Sequence, residues 1–110
     1  MELLPAELRA QLPALYAQED NNNPIVYVKF FTPDSGWTWF ITEGSLEDDD
    51  FIFFGYVIGQ SEEWGYFSLA DLSSARGPRG LPIERDLDFT PAPWSEVKAE
   101  HRTTHGNPSG

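Results

Sequence analysis

Eight consecutive residues, Phe51 to Ile58, read FIFFGYVI, and this run constrains the fold more than any other part of the chain. It has the length of a strand and falls far short of the ~20 apolar residues of a membrane-spanning helix. It is apolar at odd and even positions alike. A half-exposed strand alternates apolar with polar, so a strand without that alternation belongs in the middle of a sheet. Gly55 interrupts the run, as a bulge or a closely packed neighbour requires.

The flanking segments supply the neighbours. Ile25 to Thr32, IVYVKFFT, is β-branched and aromatic throughout, with Val26, Val28 and Phe30 predicted on one face and Tyr27, Lys29 and Phe31 on the other. Pro33-Asp34-Ser35-Gly36 is a turn, and Trp37 to Thr42 returns from it, which makes a hairpin. After Phe51–Ile58 a turn over Gly59 to Glu63 leads to a fourth strand, Trp64 to Phe67. Ser68-Leu69-Ala70-Asp71 opens a short helix with a capping-box pattern that stops near Gly77. Leu81 to Phe89 alternates as an edge strand. At the N-terminus Leu4, Leu8 and Leu12 share one helical stripe, Pro5 suits the first turn, and Pro13 ends the helix, leaving Leu15 and Tyr16 to pack in a following turn. The expected architecture is α+β: an antiparallel meander of about five strands, with an N-terminal helix and a short helix after the fourth strand. Residues 1–93 form one domain on this reading, and 94–110, which show no periodicity, form a flexible tail.

Composition matters where it excludes chemistry. There is no cysteine, so disulfides, thiolate metal sites and thiol nucleophiles are ruled out. Aromatic residues make up 15% of the chain, so rings fill much of the core. With Glu2 where a secretory leader carries positive charge, and no disulfides, a soluble cytoplasmic protein is expected. The 18 acids against 7 bases give a net charge of −11, which opposes direct binding to nucleic acid or to an anionic membrane. A basic protein partner is the complementary expectation.

Several groups of residues are candidate sites. Glu43, Glu47, Asp48, Asp49 and Asp50, read as an acidic loop, together with Glu62 and Glu63, form a candidate acidic interaction surface. That loop lacks the ligand spacing of a calcium loop, so no metal is expected there. Arg76, Gly77, Arg79 and Gly80 form a basic, glycine-rich turn that suits an anion, although the Lys-Ser/Thr of a phosphate-binding loop is missing. With Arg85, Trp37 and Trp39 it makes a candidate ligand or anion site; alternatively its arginines pair with Glu84, Asp86 or Asp88. Trp37, Trp39, Phe40, Trp64 and Tyr27 are candidates for an aromatic platform on one sheet face, if a helix does not cover them. Catalysis by Glu84, Asp86 or Arg85 needs a concave pocket that unites them with another polar group. His101 and His105 lie in the predicted tail. No catalytic residue and no cofactor is expected.

The stretches LLPAELRAQLPALYAQED, NPIVYVKFFTPDSGWTWFITEGS, FIFFGYVIG and WGYFSLADLSSARGPRGLPIERDLDF resemble the bacterial domain of unknown function 2958 family. The likeness runs from Leu3 to Pro93, and KFFTPDSGWTW and GPRGLPIERD are its most specific pieces. It implies a natural single-domain unit, often carried on plasmids and other mobile elements, and it supplies no catalytic residues. Relatives are expected to carry a longer acidic insertion where this chain has Glu43 to Asp50. From charge and resemblance together, the expected function is that of a non-enzymatic interaction protein with a negative surface. Within that class, a nucleic-acid-mimicking inhibitor is the sharper form. The alternative is small-ligand or peptide binding through the aromatic face and the arginine-glycine turn.

Overall fold

The computed structural model describes residues 2–105. Helix α1 (Ala6–Gln11) leads to strands β1 (Ile25–Val26), β2 (Val28–Phe31), β3 (Thr38–Glu47), β4 (Asp50–Ile58) and β5 (Glu62–Ser68). Helix α2 (Leu69–Ser74), the short strands β6 (Glu84–Arg85) and β7 (Ala92–Pro93), and helix α3 (Trp94–His105) complete the chain. Five strands form an antiparallel sheet in the order β5-β4-β3-β2-β6, with β1 and β7 paired separately. The fold is α+β, with the Phe51–Ile58 run inside the sheet. The edge strand predicted over Leu81 to Phe89 joins the sheet at Glu84 and Arg85, against Phe31 and Phe30, and its Pro82 bridges Arg76.

Phe51, Phe53 and Val57 of β4 point to the same side as Val28, Phe30, Trp39 and Ile41. Leu4, Leu8 and Leu12 around α1, Leu72 of α2 and Ile83 cover them. The helix stops at Gln11 because Pro13 cannot continue it. Ser68 caps α2 by accepting the Asp71 N–H at 3.0 Å, the bond that the capping box requires.

The opposite side is covered by α3, contrary to the flexible tail expected there. Trp94 and Val97 are buried with Phe40 and Val26. Asn23 fixes the start of the helix: its Oδ1 accepts the Ser95 N–H at 2.8 Å, while Pro24 O accepts that of Trp94 at 2.8 Å. An amide side chain from a distant loop thus takes the capping role that local sequence usually fills. Residues 106–110 of the predicted tail lie outside the described residues.

Two bulges decide which side chains share a face. Tyr27 N–H donates to Ile41 O at 2.8 Å although Val28 is the register partner of Ile41, so two residues oppose one. This breaks the predicted strand in two and sends Val26 to the α3 side, away from Val28 and Phe30. On β3 the register slips between Ile41 and Glu43, and the extra residue, Thr42, donates through Oγ1 to Phe54 O at 3.2 Å. Across from this irregularity, a Cβ on Gly55 would collide with the Phe40 carbonyl, so the residue must be glycine. The slip places Glu43 opposite Phe54, on the α3 side of the sheet.

Candidate functional site

The arginine-glycine turn is an anion cradle, and its anion is the protein's own. Asp34 Oδ2 accepts the Arg79 N–H at 2.7 Å, and a Cβ on Gly77 would overlap the Asp34 carboxylate. Gly80, at φ 81°, adopts the left-handed backbone that closes the turn. Of the candidate site with Trp37 and Trp39, the structure brings Arg85 and Trp37 to one groove, while Arg76 and Arg79 are engaged elsewhere. Arg76 donates to Ser73 O at 3.1 Å and Ala75 O at 2.8 Å, closing the end of α2. Arg85 donates to Glu2 O at 2.7 Å and Leu3 O at 3.2 Å, tying the N-terminal segment to β6. Trp39 is buried, and Trp37 stacks on it at 6.0 Å with 27° between the rings.

The proposed acidic surface separates into two poles. Glu47, Asp48 and Asp49 are exposed on the β3–β4 hairpin, which continues the strands to a tight turn where a loop was expected. Glu62 and Glu63 are exposed at the start of β5, where Glu62 faces Ile58 across the ladder. Those ends of β4 lie eight residues apart, about 26 Å in a strand. Asp50 is half-buried and its Oδ1 accepts the Phe51 and Ala70 N–H groups. Glu43 is only 4% exposed and belongs to the interior. Among the described residues, no three His, Asp or Glu side chains are grouped to hold a metal ion.

The aromatic platform is also divided, because Trp39 faces α1 while Phe40 and Trp64 face α3. What the fold assembles instead is an aromatic pocket of about 360 Å³ between the loop after α1 and strand β5. Tyr16, 61% exposed where the sequence had it packed, stands against Tyr66, 54% exposed, with ring centroids 6.5 Å apart. Tyr66 in turn meets Phe54 at 5.0 Å, and Trp64, 37% exposed, stacks on Phe54 at 5.7 Å. A side-chain hydrogen bond to Tyr16 raises the Tyr66 hydroxyl above its ordinary pKa of 10.0.

Glu43 forms the floor of this pocket and fixes its rim. Its Oε1 accepts the Tyr16 N–H at 2.8 Å and its Oε2 the Gln18 N–H at 2.7 Å. The Gln18 amide is used in full: Oε1 accepts from Ile25 N at 2.7 Å, and Nε2 donates to Ile25 O at 3.0 Å and Thr42 O at 2.9 Å. These bonds hold Tyr16 at φ 74°, left-handed backbone that a bulky residue rarely adopts. Sequence reasoning passed over Tyr16, Tyr66 and Glu19. The alternation Trp64-Gly65-Tyr66 on a short strand was the available signal.

A second depression, on the α3 side, brings Lys29, Asp86 and His101 together in a cleft of about 590 Å³. An adjoining groove of about 900 Å³ adds Glu84 and Arg85. The concave setting that catalysis by Glu84, Asp86 or Arg85 requires therefore exists. Lys29 pairs with Asp86 at 3.6 Å, His101 lies edge-on to Phe40 at 5.4 Å, and Arg85 is directed to the N-terminal carbonyls.

The family model described as "Protein of unknown function (DUF2958)" matches residues 3–106. The chain belongs to this family. The match reaches through α3, so the helix that covers Phe40 lies within the family's extent. No curated protein and no solved structure matches the chain.

Proposed function

We propose that this member of the family is a non-enzymatic interaction protein that presents a negative surface to a basic protein partner. The use of its few cations carries this reading. Arg76 and Arg85 serve backbone carbonyls, and Lys29 and Arg102 pair with Asp86 and Glu62. Arg9 sits 5.0 Å above the Phe51 ring. Five of the seven bases are thus engaged internally, while Glu47, Asp48, Asp49 and Glu63 face solvent. An uncompensated field of that sign steers and selects a basic surface. A partner that engages both acidic poles presents a basic face about 26 Å long, judged by strand rise. A face that normally holds nucleic-acid phosphates is one such surface. The protein would then act as a nucleic-acid-mimicking inhibitor of the kind carried by mobile elements.

The test is capture from a bacterial lysate by the wild type and by a Glu47→Gln/Asp48→Asn/Asp49→Asn/Glu63→Gln variant. A partner held at low salt should elute near 1 M salt, where screening reaches roughly 3 Å, and should be lost from the variant. Absence of any salt-sensitive partner refutes the reading. No helix among the described residues is long and apolar enough to cross a membrane.

A further inference from the structure

We propose that the pocket between Tyr16 and β5 receives one cationic side chain, a lysine or arginine, of that basic partner. This rests on the preceding reading and names the point where the partner is gripped.

The backbone at Tyr16 is the first reason. A tyrosine at φ 74° is strained, and such strain persists only where surrounding contacts impose it. Here a buried carboxylate and a fully bonded glutamine impose it. The usual compensation is burial of the ring, yet Tyr16 is 61% exposed. The strain therefore leaves an aromatic ring mostly in solvent, with the likewise exposed Tyr66 as its ring neighbour.

The chemistry of the lining is the second. Tyr16, Trp64 and Tyr66 offer ring surface, Glu19 and Glu43 are carboxylates, and among the described residues no lysine, arginine or histidine lines the pocket. Aromatic faces attract an ammonium or guanidinium group within about 6 Å, and a carboxylate beside them adds an ion pair. A neutral sugar also stacks on such rings, but it needs fixed amide partners. Gln18 has spent its amide on Ile25 and Thr42, and Asn21 Oδ1 accepts the Asn23 N–H at 2.9 Å. This leaves Asn22 and the Asn21 amino group, on an exposed loop, as the amides a sugar would use. At about 360 Å³ the pocket is at the small end of ligand sites and suits one long side chain.

The experiment is an NMR titration of the full chain with a capped glycine-serine peptide carrying one central arginine. Its lysine and glutamine counterparts and chitotriose serve as comparisons. The arginine and lysine peptides should shift the Tyr16, Trp64 and Tyr66 resonances, and the glutamine peptide should not. Tyr16→Gly, which suits the left-handed backbone, and Glu19→Gln should each weaken binding about tenfold, the scale of one desolvated cation–π contact. Equal binding of the glutamine peptide, or chitotriose binding at these rings, overturns the proposal. If the salt-sensitive partner binds wild type and Tyr16→Gly alike but not the hairpin-neutralised variant, the pocket is refuted while the acidic-surface reading stands. If no basic peptide shifts these resonances the pocket is refuted, and if in addition no salt-sensitive partner is captured, both fall.

Discussion

The carboxylate of Glu43 accepts the backbone N–H of Tyr16 at 2.8 Å, joining a strand to a loop 27 positions away. With its second oxygen on Gln18 N–H, it satisfies two loop amides from inside the sheet. Hydrogen bonds to a charged group are worth roughly 1.5–3 kcal/mol each, and stranded partners add to the loss. Glu43→Ala is therefore expected to destabilise the protein by about 3 kcal/mol, and Glu43→Gln, which keeps one acceptor, by about half as much. Chemical denaturation at constant m-value measures both. Equal stability of the alanine variant would show that the loop does not depend on this carboxylate.

Asp34 and Gly77 form a second coupled pair. Asp34→Ala removes the acceptor of the Arg79 N–H, and Gly77→Ala drives a methyl group into the carboxylate. Each single change should cost about 2 kcal/mol, and the double variant clearly less than the sum, because the methyl group has nothing left to strike. Asp34→Ala also vacates the cradle, so inorganic phosphate should raise its melting temperature and leave that of the wild type unchanged.

The parts of the fold that were legible in the sequence are those whose pattern is local. The β2–β3 hairpin, the central β4 and the cap of α2 are written in alternation, turn residues and one capping serine. Helix α3 is not, because among its described side chains Trp94 and Val97 alone are buried and its first amides are held by Asn23 and Pro24. A narrow stripe capped from afar gives no helical signal. The basic turn was readable as an anion cradle, while its occupant, 45 residues distant from Arg79, was not. The aromatic pocket is further still from local pattern. It needs the slip at Thr42 to turn Glu43 over, and Glu43 to hold Tyr16.

The weight that α3 carries is measurable. Trp94 meets Phe40 at 5.5 Å, Tyr56 at 4.7 Å and Trp64 at 5.4 Å, so its indole closes the whole α3 side of the core. Trp94→Ala should cost about 3–5 kcal/mol, as for other large aromatic truncations in cores. A loss below about 1 kcal/mol, the range of surface sites, would show that the helix is not part of the folded unit.

Alkaline pH should weaken the protein through Tyr56. Burial, followed by its hydrogen bond to Glu62 at 3.0 Å, raises the hydroxyl above the ordinary value of 10.0. The folded state thus holds this proton more tightly than the unfolded chain. That stability is complete below about pH 10 and disappears as pH rises through the folded value. Tyr56→Phe should flatten the decline, and Glu62→Gln should flatten it in part. Phenolate absorbance and denaturation curves across that range are the measurements; identical slopes in all three proteins would count against the assignment.

Tyr16→Gly separates strain from function. A left-handed backbone costs an L-residue roughly 1–2 kcal/mol, which glycine avoids. Glycine loses about 0.5–1 kcal/mol more conformational freedom on folding, and the variant also gives up the contact with Tyr66. With the ring contact and hydrogen bond to Tyr66 also lost, the terms nearly cancel, read as a melting temperature close to that of the wild type. If Tyr16 instead serves the fold, the variant will melt lower than the wild type, because a structural ring is missed as soon as it is removed. A protein that melts as before without this tyrosine, and at the same time loses its grip on a basic peptide, keeps the residue for binding.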